Sequence, residues 1–248
     1  MIKKPILYLD SAIQKVSELL DARDCQIYEK RIRAYAHLLG ADEKLKMISI
    51  ECRKESLKDT LREIDIALIF KALGFELEVE PGRSAKTGKN IDLKLSKDNN
   101  TCFVEVTRFM PMKPGPVEIG PEFDELLLPE YGDITRDVEK ACRKVIDKFN
   151  QLGSEPTIIA IWNDDNRMEE IEVGMAVRKI VQVEKVPSNL MFILYISDWI
   201  KIRGQQQMFC YLSRNSLEPY VQQWIKDLES SLVQTLINDA CRVLTSTI

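Results

Sequence analysis

The hydrophobic period of this chain changes across a single glycine, and that change limits the folds open to it. Leu57, Leu61, Ile64, Leu68 and Leu73 recur at helical spacing, so the sequence predicts one amphipathic helix over residues 56–73. Gly74 follows, the residue type expected just past a helix end. Then Phe75-Glu76-Leu77-Glu78-Val79-Glu80 alternates apolar and acidic residues, the period of a half-buried strand. Strands are also expected at Ile91–Leu95 and Cys102–Thr107, joined by Lys97-Asp98-Asn99-Asn100, a good hairpin connection. Residues 109–132 are rich in proline and glycine and read as a long loop. A helix over about 133–152 follows, burying Ile134, Val138, Ala141, Val145 and Phe149. The unbroken apolar run Thr157–Trp162 suits an interior strand covered on both faces. The expected fold class is therefore α/β, with a core order α-β-β-β-α-β over residues 56–165.

The flanks read differently. Residues 1–55 are expected to be a helical extension. Its first helix starts near Asp10-Ser11 and carries Ile13, Val16, Leu19 and Leu20; a second covers about 24–39 and ends near Gly40; a third begins near 42. Residues 166–248 form an α/β extension, with a helix near 168–183, strands at 189–196 and 207–213, and helices from 216 onward. Trp199, Tyr220 and Trp224 fall among apolar helical positions and are expected in the core. The three parts are expected to pack as one globular unit, and the terminal helices make a homodimer possible.

Composition excludes several chemistries. No apolar run approaches the ~20 residues that span a bilayer, so no membrane partner is expected. The start lacks the apolar stretch of a secretory signal, so a cytoplasmic location is expected. Six cysteines are scattered without a CxxC pair, and His37 is the one histidine. That scarcity argues against a zinc site and against serine–histidine or cysteine–histidine catalysis. Any metal would be held by carboxylates, which favours Mg²⁺ or Mn²⁺. A net charge of −4 gives no global footprint for nucleic acid, although a local basic cleft can act within an acidic whole. Gly82 and Gly88 are not followed by the Lys-Ser/Thr of a phosphate loop. Asp164-Asp165-Asn166 is read as a polar turn.

Two acids stand out. Asp92 lies in Asn90-Ile91-Asp92-Leu93-Lys94-Leu95, and Glu105 follows thirteen residues later in Phe103-Val104-Glu105-Val106-Thr107. Each sits inside a short apolar strand. Taken singly, such an acid is also what a solvent-facing edge strand contains.

With Glu63 eleven residues before Gly74-Phe75, and Asp92 and Glu105 thirteen apart, the chain resembles the PD-(D/E)xK (restriction-endonuclease-like) superfamily. The nearest pattern is that of archaeal-type Holliday-junction resolvases, and it covers residues 56–110 firmly and 133–162 loosely. The resemblance implies a mixed sheet flanked by helices and Mg²⁺- or Mn²⁺-dependent hydrolysis of DNA phosphodiesters. It implies metal ligands at Asp92, Glu105 and the Val106 carbonyl, with Glu63 in support. The pattern also places a lysine two residues after the glutamate, on the same sheet face, to orient or deprotonate the attacking water. Here that residue is Thr107, which keeps the face and lacks the charge. Lys86 and Lys89, in the loop entering Asp92, and Lys144 and Lys148, on the 133–152 helix, are the candidate substitutes; Lys89 and Lys144 are favoured. Arg108 is adjacent but points to the other face. The alternative is a catalytically inactive relative that binds nucleic acid or a protein partner, or serves in assembly.

Overall fold

The computed structural model describes residues 6–40, 42–79, 91–109, 134–149, 152–164, 170–183, 186–202, 205–212 and 218–242. The expectations for the basic loop with Lys86 and Lys89, and for the loop at 110–132, lie outside these residues.

Three helices open the chain: α1 (Leu9–Leu19), α2 (Ala22–Leu39) and α3 (Asp42–Ile50). Helix α2 starts earlier than its apolar spacing indicates because Asp21 caps it. The Asp21 carboxylate accepts from the backbone N–H of Arg23 at 3.1 Å and of Asp24 at 3.0 Å. Gly40 ends the helix with φ 58°. Helix α4 (Lys54–Ala72) follows, with Leu57, Leu61, Ile64 and Leu68 wholly buried. Gly74 turns the chain out of it at φ 83°.

The strands are β1 (Glu76–Val79), β2 (Leu93–Lys97) and β3 (Asn100–Phe109). Strands β2 and β3 form a hairpin with Asp98 at φ 51° and Asn99 at φ 61°. Positive φ at both central residues is what a two-residue hairpin turn asks for, and Asp and Asn tolerate it best after glycine. Then come α5 (Ile134–Phe149), β4 (Thr157–Asn163), α6 (Glu170–Val183), β5 (Leu190–Ile202), β6 (Gln205–Leu212), α7 (Pro219–Glu229) and α8 (Val233–Arg242). The described strands make one six-stranded mixed sheet in the order β1-β2-β3-β4-β5-β6. Strands β3, β4 and β5 are parallel to their neighbours in that set, while β1–β2, β2–β3 and β5–β6 are antiparallel.

Side chains sort by parity onto two faces. Val104, Val106, Ile158, Ala160, Trp162, Phe192, Leu194 and Ile196 join α4, the amino-terminal helices and the carboxy-terminal helices in one apolar cluster running from Ala12 to Ala240. Phe109, Ile159, Ile161, Ile193 and Tyr195 face α5 and α6, against Cys142, Val145, Val173 and Ala176. Strand β4 is buried along its whole length, as its unbroken apolar run requires.

One expectation needs correcting. Trp199 lies on a strand, because β5 continues to Ile202 and pairs Lys201 with Gln206 of β6 after an irregularity in register. Pairing with β6 overrides the local pattern that suggested a helix. Trp224 is buried in α7, with edge-on ring contacts to Phe75 and Tyr220. All six cysteines are free thiols. No helix among the described residues is long and apolar enough to cross a membrane.

Candidate active site

The candidate site lies where β2 begins and β3 runs past it. The last paired residues are Leu93 and Val104. Asp92 is the residue just before Leu93 and sits in a bend outside the ladder, while Glu105 is the residue just after Val104 on β3. Asp92 Oδ2 accepts from the Val106 N–H at 2.7 Å. The aspartate side chain thus takes the place that the next residue of β2 would fill. In an extended strand, N–H and C=O of one residue point to the same edge. The Val106 carbonyl therefore also faces the Asp92 side, beyond the end of β2.

Glu105 is 6 % exposed. Its Oε2 lies 3.2 Å from Lys148 Nζ, which reaches across from α5. Among the described residues the lysine paired with the glutamate is Lys148, whereas Lys144 sits one turn earlier on that helix. Thr107 shares the face of Glu105 and is partly exposed. Lys89 lies outside the described residues. Glu63 on α4 is paired with Lys44 of α3, a lysine almost wholly buried. Lys44 thus holds the helix glutamate on the α3–α4 side.

On the opposite face of β3 is a connected set of ions that the sequence did not disclose. Arg108 donates to Asp59 at 2.7 Å, Glu55 at 2.7 Å and Asp164 at 3.2 Å. Asp164 also accepts from Arg62 at 2.6 Å, and Arg62 donates to Asp65 at 3.0 Å. Asp65, with no exposed surface, accepts from Arg31 at 2.7 Å. Asp164 therefore joins α4 to β3, a stronger role than a polar turn. Burial works against the charge on Arg108, but its hydrogen bonds to Glu55 and Asp59 and the nearby Asp164 outweigh it and raise its pKa. Arg62 also lies 4.4 Å from the centre of the Trp162 ring. The spacing of Arg62 and Asp65 on α4 was the available signal for part of this set; the partners on β3 and after β4 come from tertiary pairing.

The donor atoms at Asp92, Glu105 and Val106 are all oxygen, which fits a hard divalent cation such as Mg²⁺ or Mn²⁺. Among the described residues no three His, Cys, Asp or Glu side chains are grouped closely enough to hold a metal. A metal at this place would rest on two carboxylates and a carbonyl. The chain matches no family model, no curated protein and no solved structure.

Proposed function

We propose that this protein is a divalent-metal-dependent nuclease that hydrolyses DNA phosphodiester bonds on a restriction-endonuclease-like core. The observation that carries the reading is the clamp of Asp92 on the Val106 N–H, which holds the Asp92 carboxylate at the residue that follows Glu105. The element order α4-β1-β2-β3-α5-β4 supports it. Asp92, Glu105 and the Val106 carbonyl would hold Mg²⁺ or Mn²⁺. When bound, the cation supplies positive charge to the phosphoryl oxygens. Lys148 supplies the basic group that Thr107 cannot, from α5 instead of from β3. Its ammonium orients the Glu105 carboxylate and balances charge as the phosphate approaches. Thr107 offers a hydroxyl on the same face.

The test is Mn²⁺ titration calorimetry together with cleavage of linear, supercoiled and branched DNA in Mg²⁺ or Mn²⁺. Saturable Mn²⁺ binding lost in Asp92→Ala, with cleavage lost in the same variant, supports the reading. No cleavage of any DNA form with either metal overturns it.

One observation favours the second reading, an inactive relative that binds DNA through the same cleft. Glu63 and Glu105 each already face a lysine, Lys44 and Lys148, so both acids have a compensating charge within the protein. Salt-dependent DNA binding without cleavage would select it.

A further inference from the structure

Helices α2 and α8 leave between them a half-open cavity of about 200 Å³. Among the described residues its wall carries two cations, Lys30 and Arg31, and three carboxamides, Gln26, Gln234 and Asn238, with no carboxylate. Ile27 and Ile237 supply the apolar part, and Ile27 is 37 % exposed. Arg31 is fixed in this wall. Its Nη1 donates to Asp65 at 2.7 Å and its Nη2 to Gln234 Oε1 at 3.3 Å, while the guanidinium carbon lies 5.1 Å from the Tyr28 ring centre. Burial disfavours its charge, but Asp65 and Tyr28 outweigh that, so Arg31 stays charged. The buried Asp65 is shared between Arg31 and Arg62. Arg62 has a second carboxylate in Asp164, whereas Arg31 has Asp65 and the neutral Gln234, and Lys30 adds a further positive charge to the wall.

We propose that the cavity binds a small organic monoanion with an aliphatic tail, in class a short-chain carboxylate. The carboxylate takes charge-assisted hydrogen bonds from Arg31 and Lys30, which are stronger than neutral ones. Asn238 accepts from Gln234 Nε2 through its Oδ1 at 2.9 Å, which leaves its own N–H groups to donate. The tail lies along Ile27 and Ile237. A cation is repelled by the two basic side chains. The cavity is below the ~300–1,000 Å³ of pockets for drug-sized ligands, which suits a small anion.

The proposal stands apart from the DNA reading and is tested on the whole chain by calorimetry with three probes: hexanoate, hexylamine and inorganic phosphate. Saturable heat with hexanoate, none with hexylamine, and phosphate at least ~10-fold weaker are expected, because phosphate has no tail for the isoleucines. Arg31 is left intact, since removing it takes from the buried Asp65 one of its two guanidinium partners. Gln234→Glu instead places a competing carboxylate beside Arg31 at an exposed position, and Lys30→Glu reverses the second charge. Each is expected to weaken hexanoate at least ~10-fold with the unfolding transition unchanged. No saturable hexanoate binding overturns the proposal. So does equal binding of phosphate or hexylamine, or wild-type hexanoate affinity in Gln234→Glu.

Discussion

Strand β3 buries two charges three residues apart on opposite faces, and their surroundings differ in kind. The Arg108 side chain is 1 % exposed and reaches carboxylates of Asp59, Glu55 and Asp164 together with the Glu55 carbonyl. A guanidinium does not lose its proton in proteins, and several forked contacts fix its plane. Such a group ties α4 to the sheet and has no chemistry left to perform. Glu105, on the other face, meets Lys148 at 3.2 Å beside the point where β2 stops. An ammonium on a flexible stem can exchange a carboxylate for a phosphate. On the proposed reading, the contrast separates charges that hold the fold from charges that would act.

The largest expected effect lies on the holding side. Asp65→Ala leaves Arg31 and Arg62 facing each other with their shared buried carboxylate gone. Removing one partner of a buried pair costs about 3–5 kcal/mol. Urea denaturation should show a loss in that range. A loss below ~1 kcal/mol would break the distinction, because the ion set would then be no more than surface decoration.

Lys148→Met is the counterpart on the acting side. Glu105 keeps 6 % of its surface, so removing its lysine partner should cost less, about 1–3 kcal/mol. The more telling readout is metal affinity. Lys148 competes with a cation for Glu105, so Mn²⁺ should bind several-fold tighter in the variant while DNA cleavage falls. Weaker Mn²⁺ binding would show that the lysine only scaffolds the carboxylate.

A third buried group on β3 adds a pH dependence. Burial pushes the Cys102 thiol from 9.0 up to about 12. Its folded-state pKa is raised, so its contribution to stability is fully present below the unfolded thiol range and is lost as pH climbs toward about 12. Within that window the slope is about 1.4 kcal/mol per pH unit for one proton. Alkaline unfolding should therefore steepen above pH ~9, and Cys102→Val should flatten it. Exposed Cys52 should alkylate in the folded protein, whereas buried Cys102 should wait for unfolding.

The two faces also differed in how far the sequence disclosed them. Helix α4, the Gly74 stop, the Asp98-Asn99 turn and the apolar run of β4 are local patterns, and each stands where its period or turn chemistry put it. The approach of Asp92 to β3 beside Glu105 follows from hairpin register, which a short loop fixes. Which lysine meets Glu105 does not follow, because Lys144 and Lys148 share one flank of α5. The choice between them depends on how far that helix slides along the sheet. Nor does the partnership of Asp164 with Arg62 and Arg108, which needs residues more than fifty positions apart to meet. Trp199 shows the same lesson in reverse, since the pairing of β5 with β6 outweighs its local pattern.

The smallest effect expected is on the β1–β2 pair, the edge of the sheet next to Asp92. Lys94 and Glu78 face each other there at 3.1 Å, with 36 % and 57 % of their side chains exposed. Water screens such a pair, and the ordering of two long side chains offsets most of its attraction. Lys94→Ala should therefore change stability by no more than about 1 kcal/mol, and the residual effect should vanish in high salt. It shares strand β2 with Leu93, whose pairing to Val104 sets the register of Asp92. A near-neutral result with unchanged Mn²⁺ affinity would mean that the Asp92 position rests on backbone pairing and the Val106 hydrogen bond. A drop in Mn²⁺ affinity with stability unchanged would instead assign the exposed pair a part in placing Asp92, and the line between holding and acting charges would have to be redrawn at the sheet edge.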